Sequence, residues 1–128
     1  MDNIINKYLT YEEVPVWKEA HRLTLLVYKV TEKFPTKESF GLTSQFRRSS
    51  SSIPANIAEG FHRNSTKELV QFLYNARGSY GETLYHLRLA SDLNYLSKNT
   101  YDQLKGDYEG VGKQLNGWIN SLKFKVKK

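Results

Sequence analysis

Glu59 and His62 are three residues apart, the Glu-x-x-His spacing that puts a carboxylate and an imidazole on one face of a helix, as in di-iron bundles. Such a centre needs a second pair of the same kind and two further inward glutamates. The remaining histidines do not complete it, because His86 follows Glu82 by four residues and His21 follows Glu19 by two. Glu59 is therefore expected to be a structural or interface carboxylate paired with an arginine. Serine is abundant, with a run from Ser49 to Ser52, but no G-x-S-x-G elbow or S-x-x-K pair is present to activate a hydroxyl. Nor is there a G-x-x-x-x-G-K-[ST] loop for nucleotide phosphates. These patterns predict a protein that is not an enzyme and that uses no metal and no cofactor.

Positive charge is the chemistry that remains. The 128 residues hold 19 Lys and Arg against 13 Asp and Glu, a net charge of +6 with a pI near 9.5. Residues 1–40 carry six basic and six acidic groups and residues 65–96 three and three, whereas 41–64 carry three and one, and 97–128 seven and three. Excess charge thus gathers in the middle of the chain and at its C-terminal end, a distribution that attracts phosphate polymers or anionic surfaces. The candidate nucleic-acid-binding residues are Arg47, Arg48, Arg63, Arg77, Arg88, Lys123, Lys125, Lys127 and Lys128. Arg77 and Arg88 are eleven residues apart, three helical turns, so they share a face at about 16 Å, a spacing that can track a phosphate backbone. The alternatives are that the arginines bridge to Glu59, Glu68 and Glu82, and that the lysine tail only aids solubility.

Length and composition bound the setting. A chain of this size suits one domain that buries about two thirds of its unfolded surface. The absence of cysteine excludes disulfides and thiolate metal sites and fits a reducing compartment. The opening MDNIINKYLT lacks a basic n-region and an apolar h-region, and no run approaches the roughly 18 apolar residues of a membrane span. A cytoplasmic protein without a membrane partner is expected.

Hydrophobic periodicity places these residues on helices. Val16, Ala20, Leu23, Val27, Val30 and Phe34 recur at steps of four and three after Pro15 and before Pro35. Leu42, Phe46, Ser49, Ile53, Asn56 or Ile57, and Gly60 form a second stripe, which contains Pro54. An interior proline removes the amide that would bond the Ser50 carbonyl, at a cost of about 3 kcal/mol. Neighbouring serine hydroxyls can bond nearby carbonyls, so one continuous, kinked helix is expected; a turn at Pro54 between two short helices is the alternative. Ser65-Thr66-Lys67-Glu68 has capping-box spacing and starts a third helix along Leu69, Leu73, Ala76, Tyr80, Thr83, Leu87, Ala90 and Asn94. Asn99 or Thr100 can cap a fourth along Tyr101, Leu104, Tyr108, Val111, Leu115, Trp118 and Leu122. The expected fold is all-α, an up-down-up-down four-helix bundle in one domain over 1–128, with helices at about 15–34, 41–62, 66–96 and 101–123.

Two groups of glycines need a reason, since each costs about 1 kcal/mol against alanine within a helix. Gly78 and Gly81, near Ala76 and Ser79, suggest a narrow face against the serines of the second helix. Replacing Gly78 or Ser52 by leucine is then expected to lower the melting temperature sharply. Gly106, Gly110 and Gly117 fall opposite the fourth seam, where they either admit another subunit or simply face solvent.

Arg47-Arg48, Ser52-Ile53 and Asn56-Ile57-Ala58-Glu59-Gly60 together resemble the signature of the four-helix-bundle proteins found in intervening sequences of bacterial 23S ribosomal RNA genes. The likeness extends upstream to Phe34-Pro35 and Phe40-Gly41-Leu42-Thr43-Ser44-Gln45, and downstream to Ala76, Gly78-Ser79 and Glu82. That family includes the accessory proteins of diversity-generating retroelements. The resemblance implies a basic homo-oligomer, a pentameric ring, that binds RNA or DNA and partners a reverse transcriptase, with no catalytic residue to carry over. A ring would multiply weak basic patches through avidity. Nine tyrosines, six phenylalanines and two tryptophans exceed what four seams need, so a protein-interaction scaffold without nucleic acid is the competing class.

Overall fold

The computed structural model describes residues 7–126, with side chains through Phe124. Four helices follow one another: α1 (Pro15–Thr31), α2 (Leu42–Phe61), α3 (Thr66–Asp92) and α4 (Lys98–Val126). Each packs on the next, and α1 closes against α4, so the chain forms an all-α bundle of sequential antiparallel neighbours. No helix among the described residues is long and apolar enough to cross a membrane.

The apolar stripes become the core. Ala20, Leu23, Val27, Phe46, Ile53, Ile57, Leu69, Leu73, Ala76, Leu87, Tyr108, Val111 and Leu115 are fully buried. On α4 the seam leans toward Ile119, which is buried, while Trp118 is only partly so. The Tyr108 hydroxyl lies in this core without a hydrogen bond among the described residues, and burial drives its pKa far above the usual phenol range; nearby Ser50 offsets only part of that.

α2 runs unbroken through Pro54. Ser50 Oγ donates to the Arg47 carbonyl at 3.0 Å, and Ser51 and Ser52 Oγ donate to the Arg48 carbonyl at 3.2 and 2.8 Å. The Ser50 carbonyl, deprived of its amide by Pro54, is reached from α1 by Thr24 Oγ1 at 3.1 Å, a hydroxyl shared with the Ala20 carbonyl at 2.9 Å. A neighbouring helix thus compensates what the proline removes.

The helix ends differ from the expected ones for local reasons. α1 stops at Thr31 and its last turn tightens into three-residue bonds, ending with the Phe34 amide on the Thr31 carbonyl at 3.0 Å, ahead of Pro35. α3 stops at Asp92 rather than near Leu96. Asn94 adopts φ 64°, and the amides of Tyr95 and Asn94 bond the carbonyls of Ala90 and Ser91, each at 2.9 Å, a Schellman end. Ser97, not Asn99 or Thr100, then caps α4, its Oγ accepting the Thr100 amide at 3.1 Å. At the start of α3, Ser65 Oγ accepts the Glu68 amide at 3.1 Å and donates back to Glu68 Oε2 at 3.1 Å.

The glycine expectation is overturned for Gly78 and Gly81. A side chain at either would meet nothing within 4 Å, so neither faces the serines of α2. The close approach between α2 and α3 is at Gly60, where a Cβ would sit 3.0 Å from both Leu69 Cδ1 and Phe72 Cβ. Gly106, Gly110 and Gly117 also border open space, whereas Gly112 lies under the Tyr80 ring, 2.5 Å from where its Cβ would be.

Candidate nucleic-acid interface

The candidate cations divide into two classes by what surrounds them. Arg63 and Arg88 are neutralised. The Arg63 guanidinium covers the Phe72 ring at 4.5 Å and lies 2.9 Å from Glu59 Oε2 and 3.9 Å from Glu68 Oε1. Glu59 is thereby spent on an ion pair one helical turn away, and His62 packs edge-on against Tyr11 and Phe61. Arg88 pairs with Asp92 at 3.1 Å, one turn along α3.

Arg47, Arg48, Arg77 and Lys123 have no carboxylate within ion-pair distance among the described residues. Arg47, half-buried, donates through Nε to Thr31 Oγ1 at 2.8 Å and through Nη2 to the Tyr28 carbonyl at 3.3 Å, with its guanidinium 4.7 Å from the Tyr28 ring centre. Only neutral groups hold it. Arg48, exposed on the same turn, has no side-chain partner among the described residues. The two arginines line a cleft of about 350 Å³ with Tyr28, Ser39, Thr43 and Ser44, where the end of α1 meets the start of α2.

A second cluster lies across α3 and α4. Arg77 and Lys123 approach the same ring, Tyr74, at 5.0 and 5.9 Å, and Arg77 Nη1 donates to Asn116 Oδ1 at 2.9 Å. Two cations at one aromatic ring, beside a neutral amide, form a positive patch that includes a π surface. Arg77 and Arg88 are held differently: one is drawn to Asn116 on α4, the other to Asp92 on its own helix. Lys127 and Lys128 lie outside the described residues, as does the side chain of Lys125.

Ser49 and His86 form a contact that spacing did not disclose. Ser49 Oγ lies 3.1 Å from His86 Nδ1 and accepts from Thr83 Oγ1 at 3.0 Å. Desolvation lowers the His86 pKa, opposed by the neighbouring Glu82 carboxylate. A serine and an imidazole in contact invite comparison with a nucleophile and its base. Ser49 is only 4% exposed and does not line the Arg47–Arg48 cleft, which argues against a nucleophile there. The contact clamps α2 to α3. The one hint in the sequence was that Ser49 and Thr83 both occupy buried stripes.

Among family models, one described as 23S rRNA-intervening sequence protein matches residues 12–117. No curated protein matches the chain. Among solved structures, a 1.70 Å crystal structure from Bacteroides thetaiotaomicron VPI-5482, of a protein with unknown function from the S23 ribosomal protein family, is similar with a TM-score of 0.76 and 24% identity. The match covers 82% of this chain and 95% of that one, and at that identity it speaks for the fold alone.

Proposed function

The chain belongs to the 23S rRNA-intervening sequence protein family, and from that premise we propose that it is a non-enzymatic, basic bundle that binds nucleic acid through surface arginine and lysine. The observation that carries this reading is the set of cations without acidic partners: Arg47 and Arg48 at one cleft, Arg77 and Lys123 at Tyr74. Holding a guanidinium among neutral groups leaves its charge available to an outside anion, whereas the ion-paired Arg63 and Arg88 must first give up a carboxylate. Aromatic rings beneath Arg47, Arg77 and Lys123 add surfaces that suit bases as well as phosphates. RNA is the first polymer to test, because the family's name refers to rRNA and the similar crystal structure's family name to the ribosome.

Polarisation titrations with RNA and with duplex DNA, at about 50 and 200 mM salt, test it. For duplex DNA the log of the affinity should fall by about 0.9 per phosphate neutralised for each log unit of salt. Arg77→Glu with Lys123→Glu should weaken binding and flatten the slope. No binding of either polymer at low salt would sink the reading.

A homo-oligomeric scaffold is the second reading, favoured by the side of the bundle where α1 meets α4. Cavities of about 510 and 350 Å³ open there, and Leu25, 58% exposed, stands nearby on α1. A ring of five with a reverse transcriptase as partner is the form this proposal takes. Light scattering tests the ring, and a monomer at working concentration would exclude it.

A further inference from the structure

We propose that the cleft holding Arg47 and Arg48 is a seat for one phosphate monoester, the terminal phosphate of a nucleic-acid strand; this rests on the nucleic-acid reading above. Both guanidinium groups lining the cleft lack a carboxylate partner among the described residues. Glu38, just before α2, does not line it: its carboxylate accepts the Leu42 amide at 3.2 Å and the Tyr95 hydroxyl at 2.8 Å, which hold it below the usual carboxylate pKa range.

Neutral donors complete the lining. Thr43 is only 8% exposed, yet its hydroxyl makes no hydrogen bond among the described residues although the residue lines the cleft. The hydroxyl keeps some contact with solvent and is therefore open to an oxyanion in the cleft as a donor. Ser39 and Ser44 add two exposed hydroxyls from the same wall. Thr43 and Ser44 also belong to the first turn of α2, where amides have no carbonyl of their own helix to bond.

Charge selects a strand end over an internal linkage. A phosphate monoester near neutral pH carries close to two negative charges on three terminal oxygens, matching two unpaired arginines and several hydroxyl donors. An internal phosphodiester brings one charge and two such oxygens. Arg47, fixed by Thr31, the Tyr28 carbonyl and the Tyr28 ring, is the preorganised half of the seat; Arg48, on the same turn and without a side-chain partner among the described residues, closes over it.

The test compares short single-stranded RNAs of one sequence that end in a phosphate or in a hydroxyl, with competition by inorganic phosphate. The phosphorylated strand should bind about tenfold more tightly, the effect of one added charge-assisted contact. Arg48→Ala and the isosteric Thr43→Val should each bring the two affinities together, with the thermal midpoint reporting that the bundle stays folded. Arg77→Ala should leave the ratio unchanged. Inorganic phosphate should erase the preference and shift the amide resonances of Thr43 and Ser44. Equal affinity for the two strands, or a preference that survives both cleft variants, would overturn the seat while leaving nucleic-acid binding intact. Phosphate shifts at Thr43 and Ser44 without a strand-end preference would assign the cleft to free phosphate and overturn the strand-end claim. Absence of binding to either strand would instead remove the reading on which it rests.

Discussion

The side of the bundle where α2 meets α3 and the side where α1 meets α4 are built from similar stripes, yet they are finished differently. Between α2 and α3, Gly60 lets two backbones approach and the hydroxyls of Ser49 and Thr83 meet His86. Between α1 and α4, a surface ion pair, Arg22 to Asp107 at 3.1 Å, spans a gap flanked by two cavities, and the buried Trp118 indole N–H has no partner among the described residues. One side is closed by shape and buried hydroxyl contacts, the other by apolar contact along its centre and a partly exposed ion pair. The closed side therefore has the smaller tolerance for added volume, and the open side has room that a partner or a larger residue can fill.

The largest expected effect is on the closed side. Gly60→Val forces methyl groups against Leu69 and Phe72 and should cost about 3 kcal/mol, lowering the melting temperature by about 10 °C. Gly78→Leu, on the outer face of α3, should not lower the midpoint and should raise it slightly through helix propensity, contrary to what its position beside Ala76 suggests, because its side chain would enter open space. If both variants melted alike, the contrast between the faces would fail. A smaller loss, about 1 to 2 kcal/mol, is expected for Ser49→Ala, which leaves Thr83 and His86 without their shared hydroxyl. Denaturant unfolding measures it.

On the open side the sign should reverse. Gly117 borders the cavity lined by Tyr8, Val16 and Trp118, and a Cβ there would touch nothing. Gly117→Ala should stabilise the protein by up to about 1 kcal/mol, through helix propensity and lost freedom in the unfolded chain. A destabilised Gly117→Ala would show that this face is already covered in solution.

The same contrast explains what could be read without coordinates. Stripes such as Leu42, Phe46, Ser49, Ile53, Ile57 and Gly60 follow from periodicity alone, because the buried side of an amphipathic helix is a one-dimensional property. The serine answer to Pro54 was half legible: bonds to the Arg47 and Arg48 carbonyls are local, but Thr24 reaches Ser50 from 26 residues away. Which glycine marks a close approach was not legible, since Gly60 and Gly78 differ only in what the neighbouring helix presents. The candidate cations show the same limit. The pairs Glu59–Arg63 and Arg88–Asp92 are four residues apart and visible in the sequence, whereas the neutral cage around Arg47 is supplied by α1.

The smallest expected effect concerns pH, and it sharpens the contrast because, among the described residues, the closed side holds the partly buried imidazole of His86. Burial lowers the His86 pKa from its ordinary value of 6.5, so as pH falls the unfolded chain takes up this proton before the folded one does. Stability should therefore decline as pH drops below about 6.5 and level off once the folded imidazole is also protonated. Glu82 opposes the shift, so Glu82→Gln should enlarge the decline and move its lower limit to more acidic pH. His86→Asn should flatten the curve across this window. Denaturation midpoints for the three proteins between pH 5 and 8 are the measurement. If the His86→Asn curve kept the full slope of the parent, the Ser49–His86 clamp would not be the source of the pH dependence.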